Sequence, residues 1–230
     1  MKKIIRGLGT AALAAIIGFT MAACGGTGSG ADRTLDLPPA GNGLPPAGNG
    51  LPPAGDGHIT FDAPHTFPVF TRAGTPFDGD QTFTYIERWD EAGTAYLLSL
   101  YDILNAPTTV SITGGTLSLQ LGTPTTSAPW MDASDLPGFT VTPGLRLFVL
   151  GEFTTSDRQA YLQWRGTNGF VSFFYANKAG RVSGEWFSEG ERFVTNLALE
   201  PGWNTGITTW TASEEIIVTG RPSNDFRWVR

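Results

Sequence analysis

Two histidines, His58 and His65, stand seven residues apart with Asp62 between them. Imidazole and carboxylate are ligand types suited to zinc or copper. The spacings of four and three residues do not bring all three to one face of a strand, and Pro64 and Pro68 break the local geometry. Two surface histidines flanking a strand is the plainer reading, and no metal or other cofactor is expected. A serine nucleophile would need a histidine base and a carboxylate to hold it. Both histidines lie together and no G-x-S-x-G occurs, so that chemistry is not expected.

Carboxylate pairs could act as acid and base on a glycosidic bond if a cleft separated them correctly. Asp90 with Glu91, Asp132 with Asp135, and Glu185 with Glu189 or Glu191 are the candidates. All fall at expected turns or strand ends, where acidic groups also serve solubility. The aromatic residues are a better signal, because flat rings stack on sugar faces and anchor protein interfaces. Trp89, Trp130, Trp210 and Trp228 are the candidate ligand-stacking residues; the alternative is that they cover core edges. Trp203, in a Gly-Trp-Asn turn, is expected to tuck beneath its hairpin.

The remaining reactive group is the thiol of Cys24, the single cysteine. It follows a leader in which Lys2, Lys3 and Arg6 precede an apolar run from Leu8 to Phe19, ending in the small pair Ala22-Ala23. That is the design of a signal peptide over residues 1–23, and the run is shorter than the ~20 residues a spanning helix needs. Met21-Ala22-Ala23-Cys24 resembles the lipobox of bacterial lipoproteins, with Met21 where that family usually carries Leu. The resemblance implies cleavage before Cys24, a diacylglycerol on its thiol and a fatty acyl chain such as palmitate on the new amino terminus. Two or three chains hold a protein at a bilayer where one does not. Gly25 follows the cysteine in place of the family's inner-membrane retention Asp, so the outer membrane of a two-membrane envelope is the expected location. Ordinary secretion with a free Cys24 is the alternative.

Loss of residues 1–23 removes three basic residues and no acidic one, moving the net charge from −6 to −9. Such a chain, without basic clusters, does not suit nucleic acid. Its expected partners are membrane lipid through acylated Cys24 and an envelope glycan or protein. With one cysteine no internal disulfide can form, and stability must come from a hydrophobic core.

Residues 37–57 read LPPAGNG, LPPAGNG, LPPAGDG. A Pro-Pro pair and two glycines in each unit exclude helix and give polyproline II segments with flexible joints. Residues 24–57 therefore read as a lipidated amino terminus on a disordered Pro/Gly-rich tether. From Cys24 the spacer reaches between ~30 Å as a coil and ~100 Å as continuous polyproline II.

From His58 the composition turns to Thr, Phe, Val and Leu with turn residues every eight to twelve positions, which reads as all-β over residues 58–230. Strands are expected at 67–71 and 81–88, a hairpin at 110–121 around Gly114-Gly115, and a central strand at 145–153. Residues 95–104, AYLLSLYDIL, suit strand or short helix, with strand preferred. Residues 122–144 read as a long loop. The clearest run is QAYLQWR, FVSFFYA, RVSGEWF, RFVTNLAL, TGITTWTA and EEIIVTG, whose short turns favour antiparallel neighbours with one face buried. Roughly ten such strands would split into two packed sheets, so an antiparallel β-sandwich is expected, with a barrel as the alternative. Residues 174–184 and 197–204, ending in Gly202-Trp203-Asn204, resemble β-rich bacterial surface lipoproteins of unassigned role. That resemblance implies a β fold and no activity.

The sequence thus leads to a lipid-anchored cell-envelope domain for binding or surface organisation and without covalent chemistry. An envelope glycan hydrolase using a carboxylate pair is the alternative.

Overall fold

A computed structural model describes residues 56–230 apart from Glu91, Pro137, Glu189 and Gly190. The expected signal peptide, the expected lipidation site Cys24 and all but the end of the repeats lie outside the described residues. In chain order the elements are β1 (His65–Phe70), β2 (Gln81–Thr82), β3 (Tyr85–Trp89), β4 (Ala95–Ser99), a one-turn helix α1 (Leu100–Ile103), β5 (Thr109–Thr113), β6 (Thr116–Gln120), β7 (Met131–Asp132), a 3-10 turn (Ala133–Asp135), β8 (Thr140–Val141) and β9 (Arg146–Leu150). There follow β10 (Phe153–Thr154), β11 (Tyr161–Gly166), β12 (Gly169–Ala176), β13 (Gly180–Ser188), β14 (Glu191–Leu199), β15 (Gly202–Trp210), β16 (Glu214–Thr219) and β17 (Arg227–Val229).

Local sequence accounts for many of these boundaries. Gly114 and Gly115 both take positive φ, which only glycine adopts cheaply, and they close the β5–β6 hairpin in a two-residue turn. The ambiguous segment at 95–104 is both alternatives in succession, a strand and then one helical turn that buries Leu100 and Ile103. The expected loop at 122–144 carries two short strands and the 3-10 turn, whose first turn is capped by Asp132 accepting from Ser134 N.

The two-sheet β-sandwich of roughly ten strands is not the architecture. All seventeen strands among the described residues join into a single sheet. Its longest path runs β8-β13-β14-β16-β15-β12-β11-β17-β1-β6-β5-β2, with side branches β12-β9-β7 and β11-β10-β3-β4. These pairings never return on themselves, so they form no closed ring either. The branches arise because a long strand shares one edge between two short ones: β12 pairs with β11 through Val171, Phe170 and Gly169, and with β9 from Phe173 onward.

Nor is one face alone buried. In β12 seven of eight residues are buried, and neighbouring side chains enter different cores. Phe173 joins Phe148, Leu150, Leu162, Trp203 and Trp228 in one cluster, whereas Phe174 joins Leu147, Val149, Leu197, Leu199 and Ile217 in the other. Alternation along β9 and β12 places these clusters on opposite faces of the same strands. Full burial of each such side chain contributes ~1.5–3 kcal/mol, so a strand feeding both faces gains more than a one-sided strand.

Short turns also misled about neighbours. β14 and β15 are joined by Glu200 and Pro201 alone, yet β16 lies between them, parallel to β14 and antiparallel to β15. The two strands diverge from their turn and β16 enters from the open end. Near the turn, residues 57–59 take over the same edge of β15: Gly57 O accepts from Thr205 N at 2.7 Å, His58 bridges Asn204, and Ile59 N donates to Trp203 O at 3.0 Å. Gly57 must be glycine, because a Cβ there would lie 2.6 Å from Thr205 O and 2.9 Å from Gly220 N.

Among the described residues no helix is long and apolar enough to cross a membrane. The membrane association expected from the sequence belongs to Cys24, outside the described residues, and not to a helix of this domain.

Candidate functional site

The structure disperses the four candidate tryptophans. Trp228 is 2 % exposed, and Trp164 and Phe173 stack on it with ring centroids 5.4 and 6.2 Å away, so its ring faces are core contacts. Trp130 donates through Nε1 to Thr125 O at 2.9 Å, meets Tyr175 edge-on and carries the Arg146 guanidinium 5.1 Å from its ring. Trp89 ends β3, half-buried, and Trp210 ends β15, half-buried against Phe170 at 6.0 Å. Trp203 is buried, as its turn position suggested, and donates to Gly122 O at 3.2 Å.

The carboxylates singled out by spacing have local work. Asp90 accepts from Ala92 N and Thr94 N across a turn. Asp132 accepts from Ser134 N and Oγ, and these bonds hold its carboxyl below the usual range. Glu185 is ion-paired with Arg192 at 2.7 Å, and the same guanidinium holds Glu214. His65 Nε2 donates to Thr60 O at 2.7 Å, and no group of three or more metal-ligating side chains occurs among the described residues.

Two other carboxylates stand apart. Glu152, beyond β9, is pushed up to about 7, first by burial and then by the Glu87 charge, with Arg165 and Arg72 pulling the other way. Glu87 is itself held by Arg158 at 3.4 Å and accepts from Tyr161 Oη at 3.4 Å. Together with Gln163 and Arg230, Arg72, Glu152, Tyr161 and Arg165 line a shallow crevice. Arg88, next to Glu87 in β3, is half-buried; loss of solvent around its guanidinium lowers its pKa to about 10, and its Nη2 donates to Val149 O.

Glu215 is the second. It is 7 % exposed, its Oε1 has no hydrogen-bond partner, and burial followed by the nearby Glu191 charge raises it to about 7. Its surroundings follow from register. Trp186 of β13 pairs with Phe193 of β14, Phe193 with Glu215 of β16, and Glu215 with Trp210 of β15. Paired residues share a face, so Trp186, Phe193, Glu215 and Trp210 form a row across four adjacent strands. Trp186 and Phe193 stack at 4.7 Å with their planes 11° apart, and Phe139 meets Trp186 edge-on at 5.2 Å. One step inward on the same face Thr195 is 1 % exposed with Oγ1 also unpartnered. Gly184 opposite it leaves room for Phe139, which a Cβ would approach to 2.9 Å.

Alternation in the sequence does not single out this row, because each phase of Glu214-Glu215-Ile216-Ile217 carries one Glu and one Ile, and burial in the structure decides between them. In Glu214-Glu215-Ile216-Ile217, Glu215 takes the phase of buried Ile217 and Glu214 the phase of half-buried Ile216. A carboxylate in the inward phase of a strand is the anomaly to look for.

Compared with protein-family models, curated proteins and solved structures, the chain matches none.

Proposed function

We propose that this chain is an exported protein held at the cell envelope by lipid on Cys24, displaying its β domain on a Pro/Gly spacer for ligand binding or surface organisation. The observation that carries the binding reading is the row Trp186, Phe193, Glu215 and Trp210, in which half-buried rings flank a carboxylate oxygen without a partner. Buried polar atoms are nearly always satisfied, so an orphan between aromatic walls is a place where an outside group would gain a bond. The leader, the lipobox-like residues before Cys24 and the repeat spacer support the envelope location.

Metabolic labelling with a fatty acid tests the anchor: label on the full chain that disappears in Cys24→Ser supports it, and label that persists in Cys24→Ser refutes it. Incubation with purified envelope glycans tests binding, with saturable retention and no turnover expected.

A glycan hydrolase is a second reading, favoured by one observation: Glu152, pushed up to about 7 first by burial, stands near the charge of Glu87, which is ion-paired with Arg158. A carboxyl whose burial favours its neutral form, near a second one held in an ion pair, suits acid and base roles. Turnover of a glycan lost in Glu152→Gln would establish it over the binding reading.

A further inference from the structure

Glu215 and Thr195 pose a common question. Each is at least nine-tenths buried, each has a side-chain oxygen with no partner, and both lie on one face of adjacent strands. Side chains at such diagonal positions have Cβ atoms ~7–8 Å apart, close enough for one small donor group to serve both.

Charge narrows the donor. Glu191 lies on the same face two residues before Phe193 and raises the cost of ionising Glu215, so this face carries two carboxylates close to the row. Arg192, between Glu191 and Phe193 in sequence, takes the opposite face, where Glu185 and Glu214 hold it. A neutral sugar hydroxyl would satisfy a hydrogen bond and do nothing to favour the ionised carboxylate that burial and Glu191 oppose; a cation does both.

Geometry narrows it further. Phe193 and Trp210 stand on either side of Glu215, two strand spacings apart, which is ~9.6 Å. A cation centred over Glu215 is then ~5 Å to the side of each of the strands that carry the two rings, a spacing that suits the ~6 Å reach of cation–π attraction. Both orphan oxygens can accept hydrogen bonds, which calls for N–H donors on that cation.

We propose that the row Trp186, Phe193, Glu215 and Trp210 is a binding site for a primary ammonium group, which donates to Glu215 and Thr195 and is walled by Phe193 and Trp210. This rests on the binding reading above and gives it a ligand chemistry. Amino sugars, lysine side chains and polyamines all carry that group.

The full chain in detergent is titrated with n-butylammonium, tetramethylammonium, n-butanol and N-acetylglucosamine at constant ionic strength, following the indole N–H resonances of Trp186 and Trp210. Saturation by n-butylammonium with Kd on the order of 1 mM is expected, weakened at least about tenfold in Glu215→Gln and about twofold in Glu191→Gln. Tetramethylammonium, which lacks N–H, and n-butanol, which lacks charge, are expected to bind at least about tenfold more weakly. Equal affinity for tetramethylammonium, unchanged affinity in both Glu variants, or no saturation by n-butylammonium overturns the proposal. Saturation by N-acetylglucosamine alone would also overturn it while leaving the broader binding reading standing. A second series pairing glucosamine, a lysine tripeptide and spermidine separates the natural sources of the group.

Discussion

Asp56 Oδ2 and Arg221 Nη2 lie 3.1 Å apart, and Asp56 Oδ1 also accepts from His58 N at 3.2 Å. Asp56 is the one position at which the third repeat, LPPAGDG, differs from the two before it. The next residue, Gly57, is built into the edge of β15. The equivalent slots in the other repeats are followed by Leu-Pro, and a proline in place of Ile59 would have no N–H to give Trp203 O. The third repeat alone therefore has the sequence to dock.

Asp56→Asn, which restores the sequence of the first two repeats, removes an exposed ion pair and is expected to cost less than about 1 kcal/mol. Gly57→Ala pushes a methyl group into the β15 backbone and is expected to cost ~1–3 kcal/mol. Urea denaturation of both variants checks the contrast, and equal effects would mean that the edge pairing of residues 57–59 contributes little.

Trp228 tests the aromatic core. Removing its ring in Trp228→Ala leaves a cavity among Phe67, Trp164, Phe173 and Phe153 and is expected to cost ~3–5 kcal/mol. Trp228→Phe keeps an aromatic ring while deleting a buried Nε1–H without a partner, and should cost less than half as much. Equilibrium unfolding measures the two.

Glu152 and Glu215 both titrate near pH 7 in the folded chain against an ordinary 4.5. Between those values the folded state holds protons that the unfolded state has released, so stability falls as pH rises. Their contribution is complete below about pH 4.5, declines through the interval, and levels above about pH 7. Thermal melts from pH 4.5 to 8 should show that decline, and the double variant Glu152→Gln, Glu215→Gln should flatten it.

Gly184 lies against Gly138 and Phe139, the residues that lead into β8 alongside β13. Gly184→Val is expected to displace Phe139 from Trp186 and to destabilise by ~1–3 kcal/mol. Near-ultraviolet circular dichroism would register the lost aromatic packing, and an unchanged spectrum would count against that contact.

The individual strands from Tyr161 to Thr219 were legible because each is rich in β-branched and aromatic residues and is bounded by turn residues. Their partners were not. Turn length fixes how close two strand ends come, and it does not forbid a third strand from entering where they diverge, as β16 does between β14 and β15. The segment FVSFFYA reads as one-sided when Val171, Phe173 and Tyr175 are followed alone, but Phe170 and Phe174 bury the other side as well. Asp90, Asp132 and Glu185 looked like chemistry by type and proved to be a turn acceptor, a cap and an ion-pair partner, because these depend on neighbours that spacing alone does not identify. Glu215 became visible only once register put it between two rings.

In the branched sheet, β17 pairs with β1 on one side and β11 on the other, and no other strand pairing joins β1, β6, β5 and β2 to the rest. The last strand among the described residues is thus the latch between the first of them and the middle strands. Until residues 227–229 are free to pair on both sides, no strand ladder joins the two groups, so completion of the whole sheet waits on this one short strand.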